Sequence, residues 1–180
     1  MQDEAKLLTQ LKLDNSKELA FKTLVKRYKE RLYWHIRKIV ITHDDADDVL
    51  QNTFIKIFRN IDKFKGDSKL YTWMYRIATN ESITFLNSKA RRNQVSNETL
   101  NENALQNLVT DVYFDGDEIQ LKLQKAIAQL PRIQQLVFNM RYFDNIKYKD
   151  MSEILETSEG ALKASYHIAV KKIKTYLVVD

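Results

Sequence analysis

Cysteine is absent from this 180-residue chain, which excludes a disulfide framework and a thiolate metal site and leaves nothing to tie it to an oxidising compartment. Proline occurs once and glycine three times, at Pro131, Gly66, Gly116 and Gly160, so long segments carry no helix breaker. No stretch approaches the roughly 18 apolar residues of a membrane span. The opening Met1-Gln2-Asp3-Glu4 lacks the positive segment and apolar run of a secretion signal. Three scattered histidines, no glycine-rich phosphate loop and no nucleophile motif give an enzyme little to work with. These absences lead to the expectation of a cytoplasmic, non-catalytic helical protein that needs no cofactor, binds no metal and inserts in no membrane.

What is present supports a folded chain. Hydrophobic residues make up 44% and charged residues 29%, enough apolar side chain for a core, and Leu, Ile, Lys, Gln and Glu favour helices. The net charge is only +5, but it is unevenly spread. From Gln51 to Arg92 there are nine basic residues against three acidic; from Asn93 to Glu118 six acidic and none basic; from Ile119 to Asp180 ten basic against six acidic. Two basic blocks thus flank an acidic strip. That pattern fits two solvated domains with a polar tether slightly better than two nucleic-acid-binding modules whose tether phosphates repel.

Apolar residues recur at helical spacing from Glu18 to Val40: Phe21, Leu24, Val25, Tyr28, Leu32, Ile36 and Ile39. His35 shares that face and reads as a core histidine with a satisfied ring nitrogen. A second helix follows Thr42-His43-Asp44-Asp45, where hydroxyl and carboxylate oxygens can cap free amides and complement the helix dipole. Its core stripe is Ala46, Leu50, Phe54, Ile57 and Ile61. The carboxylates of Asp44, Asp45, Asp47 and Asp48 beside His43 read as capping and solvation rather than as a metal site. After a lysine-rich loop at Asp62 to Lys69 comes an aromatic-rich helix, Leu70 to Leu86. Phe64, Tyr71, Trp73, Tyr75 and Phe85 interleave there with Lys63, Lys65, Lys69 and Arg76, a mixture that suits single-stranded DNA, although most such rings pack in cores.

Periodicity fades from Asn93 to Gly116, which reads as a mobile linker. Beyond it, Ile119, Leu123, Ile127 and Leu130 mark a helix stopped by Pro131, which can itself open the next, with Ile133, Leu136, Val137 and Met140. Lys147 to Leu177 has the proportions of a helix-turn-helix. Tyr148, Met151, Ile154 and Leu155 lie on a short helix, Glu156-Thr157-Ser158 turns, and Ser158 caps a second helix. That helix sets Leu162, Tyr166, Ala169, Ile173 and Leu177 on one face and Lys163, His167, Lys171 and Lys174 on the other, as a major-groove reader requires.

Two blocks then become recognisable. Asp-Asp-Val-Leu-Gln-Asn-Thr-Phe-Ile-Lys, Phe-Lys-Gly-Asp-Ser and Tyr-Thr-Trp-Met-Tyr-Arg-Ile-Ala-Thr-Asn, within Asp47 to Arg92, resemble the second conserved region of extracytoplasmic-function sigma factors. Leu-Pro-Arg-Ile-Gln-Gln-Leu-Val-Phe, Arg-Tyr-Phe, Tyr-Lys-Asp-Met-Ser-Glu-Ile-Leu and Ser-Glu-Gly-Ala-Leu-Lys-Ala-Ser-Tyr-His, within Leu130 to Ile173, resemble the fourth. The resemblance implies an all-α chain of two small helical domains, residues 1–92 and 119–180, joined by a flexible acidic linker at 93–118. It further implies a promoter-specificity subunit whose partners are core RNA polymerase, promoter DNA and an anti-sigma factor.

Laid on this sequence, the family's pattern assigns Asp48, Gln51, Asn52 and Ile55, which share one helix face, to the coiled coil of the polymerase's largest subunit. It assigns Phe64, Asp67, Ser68 and Asn80 to an unstacked base of the minus-ten element, with Lys63, Tyr71 and Trp73 alongside and Arg76, Lys89, Arg91 and Arg92 on phosphates. Flipping a base costs a few kcal/mol that a protein pocket must replace. Ser158, Glu159, Gly160, Lys163, Ala164, His167 and Lys171 would face the minus-thirty-five duplex. The recognition helix departs from the family in carrying Ser165, Ile168 and Val170 where arginines are frequent. Two other readings remain: a helix-turn-helix regulator that binds duplex DNA unaided, with Leu19 to Arg92 as a sensing domain, and a helical scaffold with a basic surface.

Overall fold

The computed structural model describes residues 2–13, 15–106 and 118–179. Among them every regular element is helical. The first unit comprises α1 (Gln2–Leu11), α2 (Lys17–Val40), α3 (His43–Asn60), a 3-10 turn at Ile61–Lys63 and α4 (Leu70–Asn93). The expected apolar stripes form its core: Leu24, Leu32 and Ile36 of α2 meet Ala46, Leu50 and Ile57 of α3 and Met74 and Ala78 of α4. Each fully buried aliphatic side chain contributes roughly 1.5 to 3 kcal/mol relative to exposure. α1, unmarked in the sequence reading, adds Leu7 and Leu11 to the same core.

Local chemistry sets the helix ends. Thr42 caps α3, its hydroxyl accepting from the Asp45 amide at 3.4 Å, with Asp44 and Asp45 at the positive end of the dipole. α2 reverses into α3 through Ile41, whose φ of +71° is strained for a β-branched residue. α4 runs on past Leu86 to Asn93 and ends where Gln94 turns left-handed at φ +54°.

The strip from Asn93 onward is not wholly without structure. α5 (Asn97–Gln106) forms within it, because the Ser96 hydroxyl accepts from the Thr99 amide at 3.2 Å and Leu100 and Leu105 are buried. The stretch expected as a mobile linker therefore holds a helix over part of its length. The remainder, 107–117, lies outside the described residues.

The second unit is α6 (Glu118–Ala128), α7 (Arg132–Tyr142), α8 (Tyr148–Leu155) and α9 (Glu159–Val179). Ala126, Ile127, Leu130, Phe138, Ala169 and Ile173 make its own core, while Ile119 stays exposed at the start of α6. The helix-turn-helix is present as α8 and α9. Glu156 turns left-handed between them at φ +51°, and Ser158 caps α9 by accepting from the Ala161 amide at 3.3 Å.

The two units do not stand apart. Leu136, Val137, Met140, Ile146, Met151, Ile154 and Leu162 of the second join the core cluster of the first, so α7 and α8 lie against α2 and α4. No helix among the described residues is long and apolar enough to cross a membrane.

Candidate nucleic-acid interface

The loop from Lys63 to Ser68 bends through Gly66, at φ +85°, a conformation that glycine adopts without steric cost. The bend brings Lys63, Phe64, Asp67 and Ser68 beside Trp73 and Arg76 of α4 around a cleft of about 570 Å³. Six of the expected minus-ten residues thus converge. Their exposures differ sharply: Lys63 and Asp67 are exposed and Trp73 half-buried, whereas Phe64 is only 5% exposed. Its ring packs on Trp73 at 5.3 Å between centroids, and its carbonyl accepts from Lys12 Nζ at 3.1 Å. Phe64 is therefore a core residue that props Trp73, and no base can stack on it without displacement of the loop.

Asn80 is exposed, but it lines a separate cleft against Arg132, Ile133 and Glu156. Lys89 is committed to Asp45, its Nζ lying 2.6 and 2.8 Å from the two carboxylate oxygens. Arg91 and Arg92 are exposed at the end of α4. The acids opening α3 do not converge as a metal site: Asp45 takes Lys89, while His43 meets Tyr33 and Asp47, and no ligand group of three appears among the described residues.

Asp48, Gln51, Asn52 and Ile55 are all exposed on α3. Ile55 is 42% exposed, so the face opposite the core stripe offers an apolar centre with polar neighbours. On α9, Ser158, Glu159, Gly160, Lys163, Ala164, His167 and Lys171 are exposed, and Leu162, Ala169 and Ile173 are buried. Leu177, expected on the buried face, is exposed. Lys163 lies 3.8 Å from Glu159 and over the Tyr148 ring.

Polar residues whose pairing no sequence signal announces occupy the seam between the units. His35 is buried as expected, and both ring nitrogens are partnered. Nε2 lies 2.9 Å from the Thr79 hydroxyl and Nδ1 lies 3.0 Å from Asp144 of the second unit. Lys38 also donates to Asp144. Burial alone would raise the Asp144 carboxyl, but the hydrogen bond and charge of His35, with the charge of Lys38, outweigh it and hold the group below its ordinary range. Burial and the Asp144 charge together push the neighbouring Tyr75 phenol up to about 12. Asp150 of α8 accepts from Lys69 Nζ at 3.1 and 3.2 Å and from the Tyr71 hydroxyl. Its carboxyl too is lowered, the bonds from Tyr71 and Lys69 overcoming burial. Burial and that bond in turn raise the Tyr71 phenol.

The Sigma-70 region 2 family model matches residues 24–92 and the Sigma-70 region 4 model residues 120–173. The RNA polymerase sigma-H factor of Pseudomonas aeruginosa is 30% identical over 153 residues, 81% of this chain and 79% of that protein. The ECF RNA polymerase sigma-E factor of Haemophilus influenzae is 30% identical over 154 residues, 81% of this chain and 80% of that protein. Among solved structures, CnrH in complex with the cytosolic domain of CnrY superposes with a TM-score of 0.71 at 20% identity, covering 98% of both chains. The sigma factor RpoE in complex with the anti-sigma factor NepR from Bartonella quintana gives 0.68 at 20% identity, over 89% of this chain and 98% of that one. At that identity the likeness is one of fold.

Proposed function

Since the chain belongs to the sigma-70 family and is an RNA polymerase sigma factor acting in transcription initiation, we propose that its promoter and polymerase contacts divide among three surfaces. The exposed face of α3, from Asp48 to Ile55, docks on the coiled coil of the polymerase's largest subunit. The cleft walled by Lys63, Asp67, Ser68, Trp73 and Arg76, with Tyr71 at the start of α4, Asn80 beyond the cleft and Arg91 and Arg92 at the helix end, takes the melted minus-ten strand. The outer face of α9, centred on Lys163, His167 and Lys171, reads the minus-thirty-five duplex. The two units, 1–92 and 119–180, act as separate domains when bound. The protein works in the cytoplasm and catalyses nothing itself, since the family's chemistry is the polymerase's.

The observation that carries this reading is the pairing of a cation-and-aromatic cleft on one unit with a helix-turn-helix on the other. Phosphates follow cations and unpaired bases seat on rings, a capacity that a regulator reading only duplex DNA does not need. An anti-sigma partner is also proposed; it is supported by solved relatives of the same fold that are complexed with such a protein. Run-off transcription by core polymerase on a cognate promoter tests the assignment: a transcript that depends on the added chain is expected. Duplex binding by the chain alone, with no transcript in any reconstitution, would return the reading to a stand-alone helix-turn-helix regulator.

A further inference from the structure

The turn that joins α1 to α2 holds the base of the loop that forms the cleft. Lys12 Nζ donates to the Phe64 carbonyl at 3.1 Å. Lys17 Nζ lies 2.6 Å from an Asp62 carboxylate oxygen and 5.3 Å from the centre of the Phe58 ring. The turn is itself braced: the Ser16 hydroxyl donates to the Gln10 carbonyl at 2.9 Å, the Ser16 amide donates to the Leu13 carbonyl at 3.0 Å, and Leu11 is fully buried. Neither lysine is among the residues that line the cleft. Phe64 closes the 3-10 turn, its amide donating to the Ile61 carbonyl at 3.1 Å, and is extended at ψ 111°. Its carbonyl has thus left the helical ladder, and the carbonyl of so deeply buried a residue needs a donor from elsewhere. Lys12 supplies one across 52 positions of chain. A charged donor makes the stronger kind of hydrogen bond, whereas an ion pair to the exposed Asp62 contributes less.

We propose that Lys12 is a positioning residue for strand capture: its ammonium fixes the Phe64 backbone, and through it the loop side chains Lys63, Asp67 and Ser68, before any base arrives. Lys17 is a second, weaker tie at Asp62. The proposal rests on the assignment of that cleft to the minus-ten strand. Phe64 is the link between tie and cleft, because its carbonyl meets Lys12 while its ring packs on Trp73 at 5.3 Å between centroids. Two residues on, Gly66 reverses the chain at φ +85°, and a glycine hinge leaves the rest of the loop to be held from its ends. A loop already ordered loses no further chain freedom when a base seats in it. Freed of Lys12, it must be ordered by the base itself, so capture weakens. Discrimination weakens with it, since a loop that can shift accommodates a wrong base at lower cost.

The test uses holoenzyme reconstituted from the full chain and core polymerase. The probe is a promoter fragment selected for run-off transcription from a pool randomised across both elements, together with its single-base variants in the minus-ten element. Opening is timed by a fluorescent base analogue placed in the melted segment. Lys12→Met keeps the length of the side chain and removes the ammonium. It is expected to slow opening about tenfold, as loss of one charged hydrogen bond predicts, and to narrow the spread of opening rates among the single-base variants. Assembly with core and closed-complex formation should not change. Lys12→Arg, whose guanidinium can donate to the same carbonyl, should restore both rate and spread. Parental opening and spread in Lys12→Met overturn the proposal. So does a slowing that is equal on every template or that Lys12→Arg does not relieve, since Lys12 would then only support the fold. If circular dichroism shows that Lys12→Met unfolds the chain, Lys17→Met frees the loop at Asp62 alone; it should narrow the spread to a smaller degree, and parental behaviour overturns the proposal equally. Asp67→Ala tests the underlying assignment separately: parental opening and spread in that variant would take the strand out of the cleft, whereas an impaired Asp67→Ala beside a parental Lys12→Met removes only the role of Lys12.

Discussion

Phe64 and Asn80 stand together in the sequence reading as partners of one unpaired base, and the structure separates them by burial and by place. Truncating the buried Phe64 ring removes core contacts and the support of Trp73, so Phe64→Ala should cost about 3 kcal/mol or more of stability, read as a lowered urea midpoint. Asn80 is exposed on α4, so Asn80→Ala should melt like the parent, form the closed promoter complex and fail at opening, as permanganate footprinting would show. A destabilised Asn80→Ala, or a Phe64→Ala of parental stability that is defective only in opening, would reverse the two roles. His35 shows how far single residues are legible. Its place on an apolar face announces burial, but its partner Asp144 lies 109 positions away, and no periodicity within a helix encodes a contact between units.

Among the elements, α2 and α3 were legible because each carries an apolar stripe and α3 has a threonine cap, and α4 because an aromatic-rich run continues without a helix breaker, signals that survive in a single sequence. α5 was not: its buried Leu100 and Leu105 are five apart, off the helical repeat, amid Asn and Glu, and the one usable signal was the Ser96 cap. Of the candidate site, the aromatic and basic composition of the loop and α4 was readable, as were the outward cations of α9. The pairing of Asp150 on α8 with Lys69 and Tyr71 was not, because patterning shows which face of a helix is polar and not what it meets. On α3, Gln51→Glu with Ile55→Glu changes only exposed positions. The doubly substituted chain should therefore fold normally and lose co-purification with core polymerase; retained assembly would move the docking site elsewhere. On α9, Lys163→Ala should weaken duplex binding and, if the ammonium meets one phosphate, reduce the slope of log affinity against log salt by about 1. An unaltered slope would take Lys163 off the DNA.

At the scale of the whole molecule, the packing of the two units draws part of its hold from two carboxylates with depressed pKa values, Asp144 and Asp150. A group whose folded pKa lies below its unfolded value stabilises the fold above the unfolded pKa, near 4 for aspartate, and loses that contribution as pH falls through the lower folded value. Stability should thus fall steeply below about pH 4. Asp144→Asn, already weaker at neutral pH, should fall less between pH 7 and pH 3 in urea titrations, and parallel curves for the two proteins would remove Asp144 from the linkage. The same seam bears on the order in which the chain acquires its structure. Contacts of His35 and Lys38 with Asp144 close more than a hundred residues of intervening chain, whereas the helices of each unit meet neighbours close in sequence. Long-range closure carries an entropy cost that local packing does not, so docking of the two units should come after the folding barrier. Asp144→Asn should leave the refolding limb of the chevron almost unmoved and steepen loss of the native state by raising the unfolding rate. Slowed refolding would place the seam inside the nucleus.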